Sequence, residues 1–152
     1  MSDMPIWYGQ LRWRAAVPFA RLIDGTVSRS DIVEGSGLYA FTSDDQALSA
    51  GTVLYVGKTD GVTQSLRRRL GQYVNRLGKT GGPSSGHAGM ERLAAYYAEP
   101  GNSLYVRWCG CTLTRETEGG LIDLFSPRFN GKYEGRALAD DERIPAMHLY
   151  DA

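Results

Sequence analysis

The sequence predicts a small protein of the mixed α/β (α+β) class. Its expected architecture is a sandwich in which a three-stranded, largely antiparallel sheet is flanked by helices. Three short segments alternate apolar with other side chains and are rich in β-branched and aromatic residues, as is typical of strands: residues 37–42, 53–56 and 103–111. Two longer segments have apolar residues at helical spacing: residues 66–77 and 87–98. The chain shows no internal repeat, and its 152 residues suit one domain with a core of its own.

The first two strand candidates lie on either side of a polar loop. The first alternates aliphatic or small residues with the aromatic Tyr39 and Phe41. The second ends at Gly57-Lys58-Thr59, which we expect to form a turn. Tyr39 and Tyr55 are therefore predicted to lie on neighbouring strands.

A helix is predicted to begin after Ser65, whose hydroxyl can cap it. The apolar stripe of this helix is Leu66, Leu70, Tyr73, Val74 and Leu77. The run Gly81-Gly82-Pro83-Ser84-Ser85-Gly86 then breaks the chain before the second helix. Thr114 is expected to cap a third helix, which carries Glu118 and ends at Pro127.

The composition indicates the compartment in which the protein is expected. Hydrophobic residues make up 42% of the chain, without an apolar run long enough to cross a bilayer or a basic-then-apolar leader. We therefore expect a soluble, cytoplasmic protein with no membrane partner. Cys109 and Cys111 alternate on one strand and are expected to be reduced thiols on the same sheet face, since two cysteines do not complete a zinc site.

The charge is unevenly distributed although the net charge is zero. Between positions 58 and 79 six basic residues stand against one acid, Asp60. We expect four of these cations to bind the nucleic-acid backbone: Arg67, Arg68, Arg76 and Lys79. The alternative is an ordinary solvated helix face.

The sequence Gly57-Lys58-Thr59 also suggests a nucleotide-binding loop, which requires a glycine five positions before the second glycine. Gly51 precedes Gly57 by six positions, and the intervening residues 52–56 are mostly β-branched or apolar. The spacing and the composition disfavour this interpretation.

Several residues, spread over two strand candidates and two helix candidates, are suited to phosphodiester hydrolysis. Glu118 is the best candidate ligand for Mg²⁺ (or Mn²⁺), which tolerates one protein carboxylate and takes further oxygens from water and phosphate. Arg69 would contact non-bridging phosphate oxygens with its forked guanidinium. Tyr39 and Tyr55 would hold or deprotonate the attacking water, and the nearby cations Lys58 and Arg69 would favour a phenolate.

Five elements in order resemble the GIY-YIG nuclease superfamily: Gly37-Leu38-Tyr39, Tyr55-Val56-Gly57, an arginine on the next helix, a later glutamate and a final asparagine. Leu38 and Val56 stand where the family name has isoleucine. The block from Glu118 to Asn130 is similar in spacing to the helix-Pro-x-aromatic-Asn block of the excision-repair members. The resemblance spans residues 37 to about 132.

The resemblance implies the roles just given for the two strand tyrosines, the arginine and the glutamate, with Tyr39 as general base or water-orienting residue. It adds three residues. Lys58 matches a lysine that assists proton abstraction, Tyr73 holds the position of a His or Tyr near the phosphate clamp, and Asn130 orders the site.

The function implied is a metal-dependent endonuclease that cuts DNA, single- or double-stranded, with RNA as a further possible substrate and a homodimer as a possible assembly. Residues 37–152 would form the nuclease domain, with residues 1–36 packed on it through their aromatic side chains. The alternative is a GIY-YIG-like module that binds nucleic acid without cutting it.

Overall fold

A computed structural model describes residues 4–32, 35–78 and 88–144. Its centre is one antiparallel sheet with the strand order β1-β4-β2-β3. The strands are β1 (Val17–Pro18), β2 (Ser36–Thr42), β3 (Val53–Asp60) and β4 (Tyr105–Gly110). The predicted sheet of three strands is therefore wrong by one strand, because β1 pairs with the outer edge of β4. A two-residue strand that contains proline has no periodicity to reveal it.

The predicted turn at Gly57-Lys58-Thr59 is also wrong, since all three residues lie in β3. Gly57 pairs with Tyr39 in the ladder, and Lys58 pairs with Leu38. The turn comes later, where the Asp60 carboxylate accepts hydrogen bonds from the backbone N–H groups of residues 62, 63 and 64. A strand rather than a loop at Gly57-Lys58-Thr59 also removes the basis of the nucleotide-loop interpretation.

Among the described residues, five α-helices accompany the sheet: α1 (Ile6–Gln10), α2 (Ala20–Ile23), α3 (Leu66–Gly78), α4 (Ala88–Ala98) and α5 (Thr114–Phe125). The predicted cap of α3 is confirmed, because Ser65 Oγ accepts the N–H of Arg68 at 3.1 Å. The predicted Thr114 cap is wrong: Thr114 is the first residue of α5, and Leu113 precedes it without a side-chain cap. The helix ends at Phe125, and Ser126 is the single residue between its end and Pro127.

The sheet has an apolar core on each face. Tyr39, Phe41 and Tyr55 project to one face, where they pack with side chains of α3 and α4. Leu38 and Ala40 project to the other, where they pack with α1 and α5. This alternation confirms the pattern predicted for β2. Both cysteines are free thiols, and both belong to the second core, which confirms that they share a face.

The N-terminal segment packs on both faces, with Phe19 and Leu22 in the first core and α1 on the second face. Trp7 of α1 is 1% exposed, and its indole lies against the backbone of Gly120 in α5. Gln10 exchanges two hydrogen bonds with the backbone of Ile144, at 3.1 and 2.6 Å. None of the helices in the described part of the chain is long and apolar enough to cross a bilayer.

Candidate active site

Three predicted tyrosines meet on the face of the sheet covered by α3. Tyr39 of β2, Tyr55 of β3 and Tyr73 of α3 are 1%, 8% and 0% exposed. The hydroxyls of Tyr39 and Tyr73 are hydrogen-bonded at 3.1 Å, and their ring centroids lie 5.5 Å apart. The Tyr39 and Tyr55 rings are 6.4 Å apart. Strand pairing and the helical stripe thus bring together phenols that are up to 34 positions apart in the sequence.

Two glycines make room for these rings. Gly57 lies opposite Tyr39, and a Cβ at Gly57 would collide with the ring and hydroxyl of Tyr39. Gly89 of α4 lies against the Tyr55 ring in the same way. The glycine of the Tyr55-Val56-Gly57 motif is therefore required here for close approach and not for a turn.

Burial controls the protonation of the phenols. Burial raises the pKa of Tyr39 well above its usual value, and it also raises the pKa values of Tyr55 and Tyr73. Arg69 lowers all three pKa values, but by less than burial raises them. Arg69 thus acts in the expected direction, but burial outweighs it, so the three hydroxyls are neutral at pH 7.

Arg69 lies on α3 one turn before Tyr73, as the helical spacing predicts. Its Nε is buried and makes no hydrogen bond to any residue that the structure describes. A buried guanidinium N–H without a partner is costly, so this atom has unused capacity to donate to an anion or to water.

Glu118 lies on α5 and is partly buried. Burial raises the pKa of its carboxyl group, while Lys58 and Arg115 act in the opposite direction. The carboxyl group lines a cleft of about 730 Å³. This first cleft is lined by Lys58, Arg115, Glu116, Glu118, Tyr133, Glu134, Gly135 and Arg136.

The tyrosine cluster and the first cleft are electrostatically connected. A negative charge on Glu118 raises the pKa values of Tyr39 and Tyr55. Yet Tyr39 and Tyr55 do not line the first cleft, whereas Lys58 does. The predicted site is therefore divided into an open part with Lys58 and Glu118 and a buried part with Arg69 and the three phenols.

Asn130 fixes the strand between these two parts. Its Oδ1 accepts the N–H of Val56 at 2.8 Å, and its Nδ2 donates to the carbonyl oxygen of Val56 at 3.0 Å. Phe129 N–H donates to Leu54 at 2.7 Å. The Asn130 side chain thus pairs with the edge strand β3 as a neighbouring backbone would. Its partner, Val56, lies one residue after Tyr55 and two residues before Lys58.

The predicted nucleic-acid contacts differ in what they already bind. Arg67 Nε donates to the carbonyl oxygen of Ile32 at 3.0 Å, which ties α3 to the preceding segment. Arg76 forms a forked ion pair with Glu91 of α4, at 2.9 and 2.6 Å. Arg68 is exposed on the first turn of α3. Lys79 lies outside the described residues.

Sequence reasoning missed five charged or aromatic residues of the first cleft: Arg115, Glu116, Tyr133, Glu134 and Arg136. Arg115 could have been found, since it lies three residues before Glu118 on the same helix. Tyr133 and Arg136 follow the matched motif in an irregular segment, where no periodicity indicates their position.

The acidic residues of the first cleft suit one mode of metal binding. No group of three or more His, Cys, Asp or Glu side chains within residues 4–32, 35–78 and 88–144 is arranged to hold a metal ion. Mg²⁺ is often bound by one or two carboxylates together with water and substrate phosphate oxygens. Glu118, partly buried at the wall of an open cleft, fits that mode.

Comparisons with protein-family models, with curated proteins and with solved structures found no match.

Proposed function

We propose that this protein is a metal-dependent endonuclease of the GIY-YIG type that hydrolyses phosphodiester bonds in DNA. The observation that carries the proposal is that Glu118, in the first cleft, and Arg69, in the buried part of the site, both act electrostatically on Tyr39 and Tyr55. These residues come from α5, two strands and α3, and charge on Glu118 and Arg69 acts on both phenols. A partly buried carboxylate whose charge acts on buried phenols, together with an arginine whose buried Nε makes no hydrogen bond to the described residues, is a costly arrangement that a purely structural core does not need.

In the proposed site, Glu118 holds Mg²⁺ or Mn²⁺ and Lys58 faces the same cleft. The metal would neutralise charge on the phosphoryl oxygens and lower the pKa of a bound water. Lys58 contributes a cation to the same phosphate, and its charge partly offsets the rise in the pKa of the Glu118 carboxyl group that burial causes. Arg69 supplies a second cation from the buried side through its unpartnered Nε.

The tyrosines have a positioning role in this proposal. Because the phenols are neutral, Tyr39 and Tyr55 act by hydrogen bonding, and they orient the attacking water rather than deprotonate it in the ground state. Tyr73 fixes the Tyr39 hydroxyl through their mutual hydrogen bond. Asn130 holds Tyr55 and Lys58 in place by pairing with Val56 between them.

A second candidate function is a GIY-YIG-like module that binds nucleic acid without cutting it. The burial of the Tyr39 and Tyr73 side chains, at 1% and 0% exposed, favours this alternative, since a hydroxyl must reach water to orient it. Both functions would suit a cytoplasmic protein with free thiols, which we propose as its setting.

A cleavage assay separates the two functions. Supercoiled plasmid and single-stranded circular DNA are incubated with the intact chain or with Glu118→Ala, in Mg²⁺, Mn²⁺ or EDTA. We expect cutting with either metal, none in EDTA and none by Glu118→Ala. Binding in a gel-shift assay without cutting in any metal would support the binding module instead.

A further inference from the structure

Tyr133 lies at the boundary between two clefts. It lines the first cleft, with Glu118 and Arg136, and also a second cleft of about 420 Å³, with Asn130 and Lys132. Each volume falls within the range of small-ligand sites. The two clefts share Tyr133 as a lining residue, the first cleft also contains the proposed metal ligand Glu118, and we call the two clefts together the groove.

The Tyr133 ring is held in place at this boundary. A Cβ at Gly119 of α5 or at Gly135 would meet the ring, so the backbone approaches it closely at both positions. The hydroxyl donates to the carbonyl oxygen of Arg115 at 2.8 Å. The ring is nevertheless only partly buried, so part of its surface remains open to the groove.

Cations flank the ring on both sides. Lys132 is exposed and lines the second cleft. Arg136, whose side chain is 61% exposed, lines the first cleft and forms an ion pair with Glu142 at 2.7 Å. An aromatic ring between two cations matches the pattern by which proteins bind single strands, with bases stacked on rings and phosphates bound by cations.

The balance of charge in the groove favours stacking over electrostatic attraction. In the first cleft, three cations face three carboxylates. In the second cleft, Lys132 faces Asp123. A groove without net positive charge attracts a duplex backbone weakly, and a paired base cannot offer its face to a ring until it leaves the stack.

We propose that the Tyr133 ring is a stacking platform for an unpaired base of the DNA substrate, with Lys132 and Arg136 binding the phosphates on either side. The proposal rests on the proposed function for its choice of DNA and narrows the substrate to single strands or to duplexes with an unpaired nucleotide next to the cut.

The test measures binding by the full chain in EDTA, so that cleavage does not interfere. Fluorescence anisotropy gives Kd for a labelled 12-nucleotide single strand and for the duplex of the same sequence. We expect tighter binding of the single strand and a loss of about tenfold or more in Tyr133→Leu. Tyr133→Phe keeps the ring and loses only the bond to Arg115, so its Kd should stay within about twofold of the intact chain.

Tyr96→Leu is the matched control. Tyr96 is also partly buried, and its hydroxyl also donates to a backbone carbonyl oxygen, that of Ser103, at 3.0 Å. Its loss should leave Kd unchanged. Equal Kd values for Tyr133→Leu and Tyr96→Leu would overturn the proposal, as would equal weakening by Tyr133→Phe and Tyr133→Leu or tighter binding of the duplex by the intact chain.

A second measurement avoids the risk that Tyr133→Leu fails to fold. 2-Aminopurine is placed in turn at each position of the single strand, and its fluorescence is read on binding to the intact chain. Strong quenching at one or two positions supports stacking, and no quenching at any position contradicts it. The plasmid assay remains independent, because cutting that requires Glu118 but shows no stacking would leave the nuclease standing without this substrate preference.

Discussion

Tyr39 shows how the sheet shapes single residues of the site. Its ring passes over Gly57, its hydroxyl is bonded to that of Tyr73, and burial keeps the phenol neutral by raising its pKa. The neighbouring positive charges in the sequence predict a phenolate. The sequence does not show, however, that the Tyr39 ring is only 1% exposed. Desolvation outweighs the influence of Arg69.

Tyr39→Phe tests the role of this hydroxyl. The variant keeps the ring and loses one buried hydrogen bond, so it should lower the free energy of unfolding by about 1 kcal/mol. Cleavage under single-turnover conditions should fall by about 10²-fold, because the attacking water is no longer oriented. Tyr96→Phe removes a comparable hydroxyl outside the site and should cut at the rate of the intact chain. Equal rates for the two variants would exclude Tyr39 from the reaction.

The carboxyl group of Glu118 is expected to make the free energy of unfolding depend on pH. Burial raises the pKa of its carboxyl group above the value in the unfolded chain. The folded chain therefore keeps the proton at pH values where the unfolded chain has lost it, and stability falls as the pH rises through this window. Glu118→Gln is neutral throughout and avoids that loss.

The expected result is a higher Tm for Glu118→Gln than for the intact chain at pH 7. The difference should shrink as the pH is lowered to about 3.5, below the usual pKa of an unfolded glutamate. Thermal unfolding monitored by circular dichroism at both pH values measures it. A variant that is less stable than the intact chain at pH 7 would show that Lys58 and Arg115 outweigh burial.

At the scale of elements, β3 joins the two parts of the site. It carries Tyr55 towards the buried phenols and Lys58 towards the cleft, because successive side chains of a strand point to opposite faces. Asn130 pairs with the residue between them. A small shift of this edge strand would move both parts of the site together.

Gly57→Ala tests the close approach on which this arrangement depends. The added methyl group would meet the Tyr39 ring and force it to move, which should cost about 1–3 kcal/mol in unfolding free energy and reduce cleavage. Gly51→Ala is the control, since a Cβ at Gly51 meets no atom within 4 Å. Urea unfolding of both variants decides the point. Equal stabilities would show that the ring has room.

Most of the elements could be predicted from the sequence because their apolar patterns are regular. The stripe from Leu66 on α3 and the alternation in β2 are examples, and Ser65 caps α3 as its position indicates. The extension of β3 through Gly57 could not be predicted, because the reason for that glycine is a ring from another strand. Local propensity favours a turn there, and the tertiary contact overrides it.

The site was predictable to the extent that it follows a motif. The structure brings Tyr39, Tyr55, Tyr73 and Arg69 together, and it places Lys58 beside Glu118. It also engages Arg67 and Arg76 in internal hydrogen bonds and ion pairs, which no charge count reveals. Tyr133 enters the groove through contacts with Gly119 and Arg115, which depend on how the chain returns to α5.

In the molecule as a whole, zero net charge makes local cations decisive for the proposed DNA binding. Arg67 and Arg76 already bind protein groups, whereas Arg68 is exposed on the first turn of α3. The face of α3 therefore offers less free positive charge than its sequence indicates.

Arg68→Gln should weaken DNA binding and flatten its salt dependence. The loss of one phosphate contact reduces the slope of log Kd against log salt concentration by about 1. Arg12→Gln, which removes an exposed arginine near the N-terminus, is the control and should leave the slope unchanged. Anisotropy titrations from 50 to 200 mM salt measure both. An unchanged slope in Arg68→Gln would show that α3 does not face the DNA.

The proposed role of Glu118 in metal-dependent hydrolysis is tested by single-turnover cleavage with Mg²⁺, measured for the intact chain, Glu118→Gln and Glu116→Gln. Both glutamates line the first cleft, but Glu116 lies near Arg136, at 3.9 Å, while Glu118 acts on the tyrosines. We expect Glu118→Gln to lose about 10³-fold or more in rate and Glu116→Gln to stay within about tenfold of the intact chain. Equal rates for the two variants, or no cleavage by the intact chain, would contradict the account.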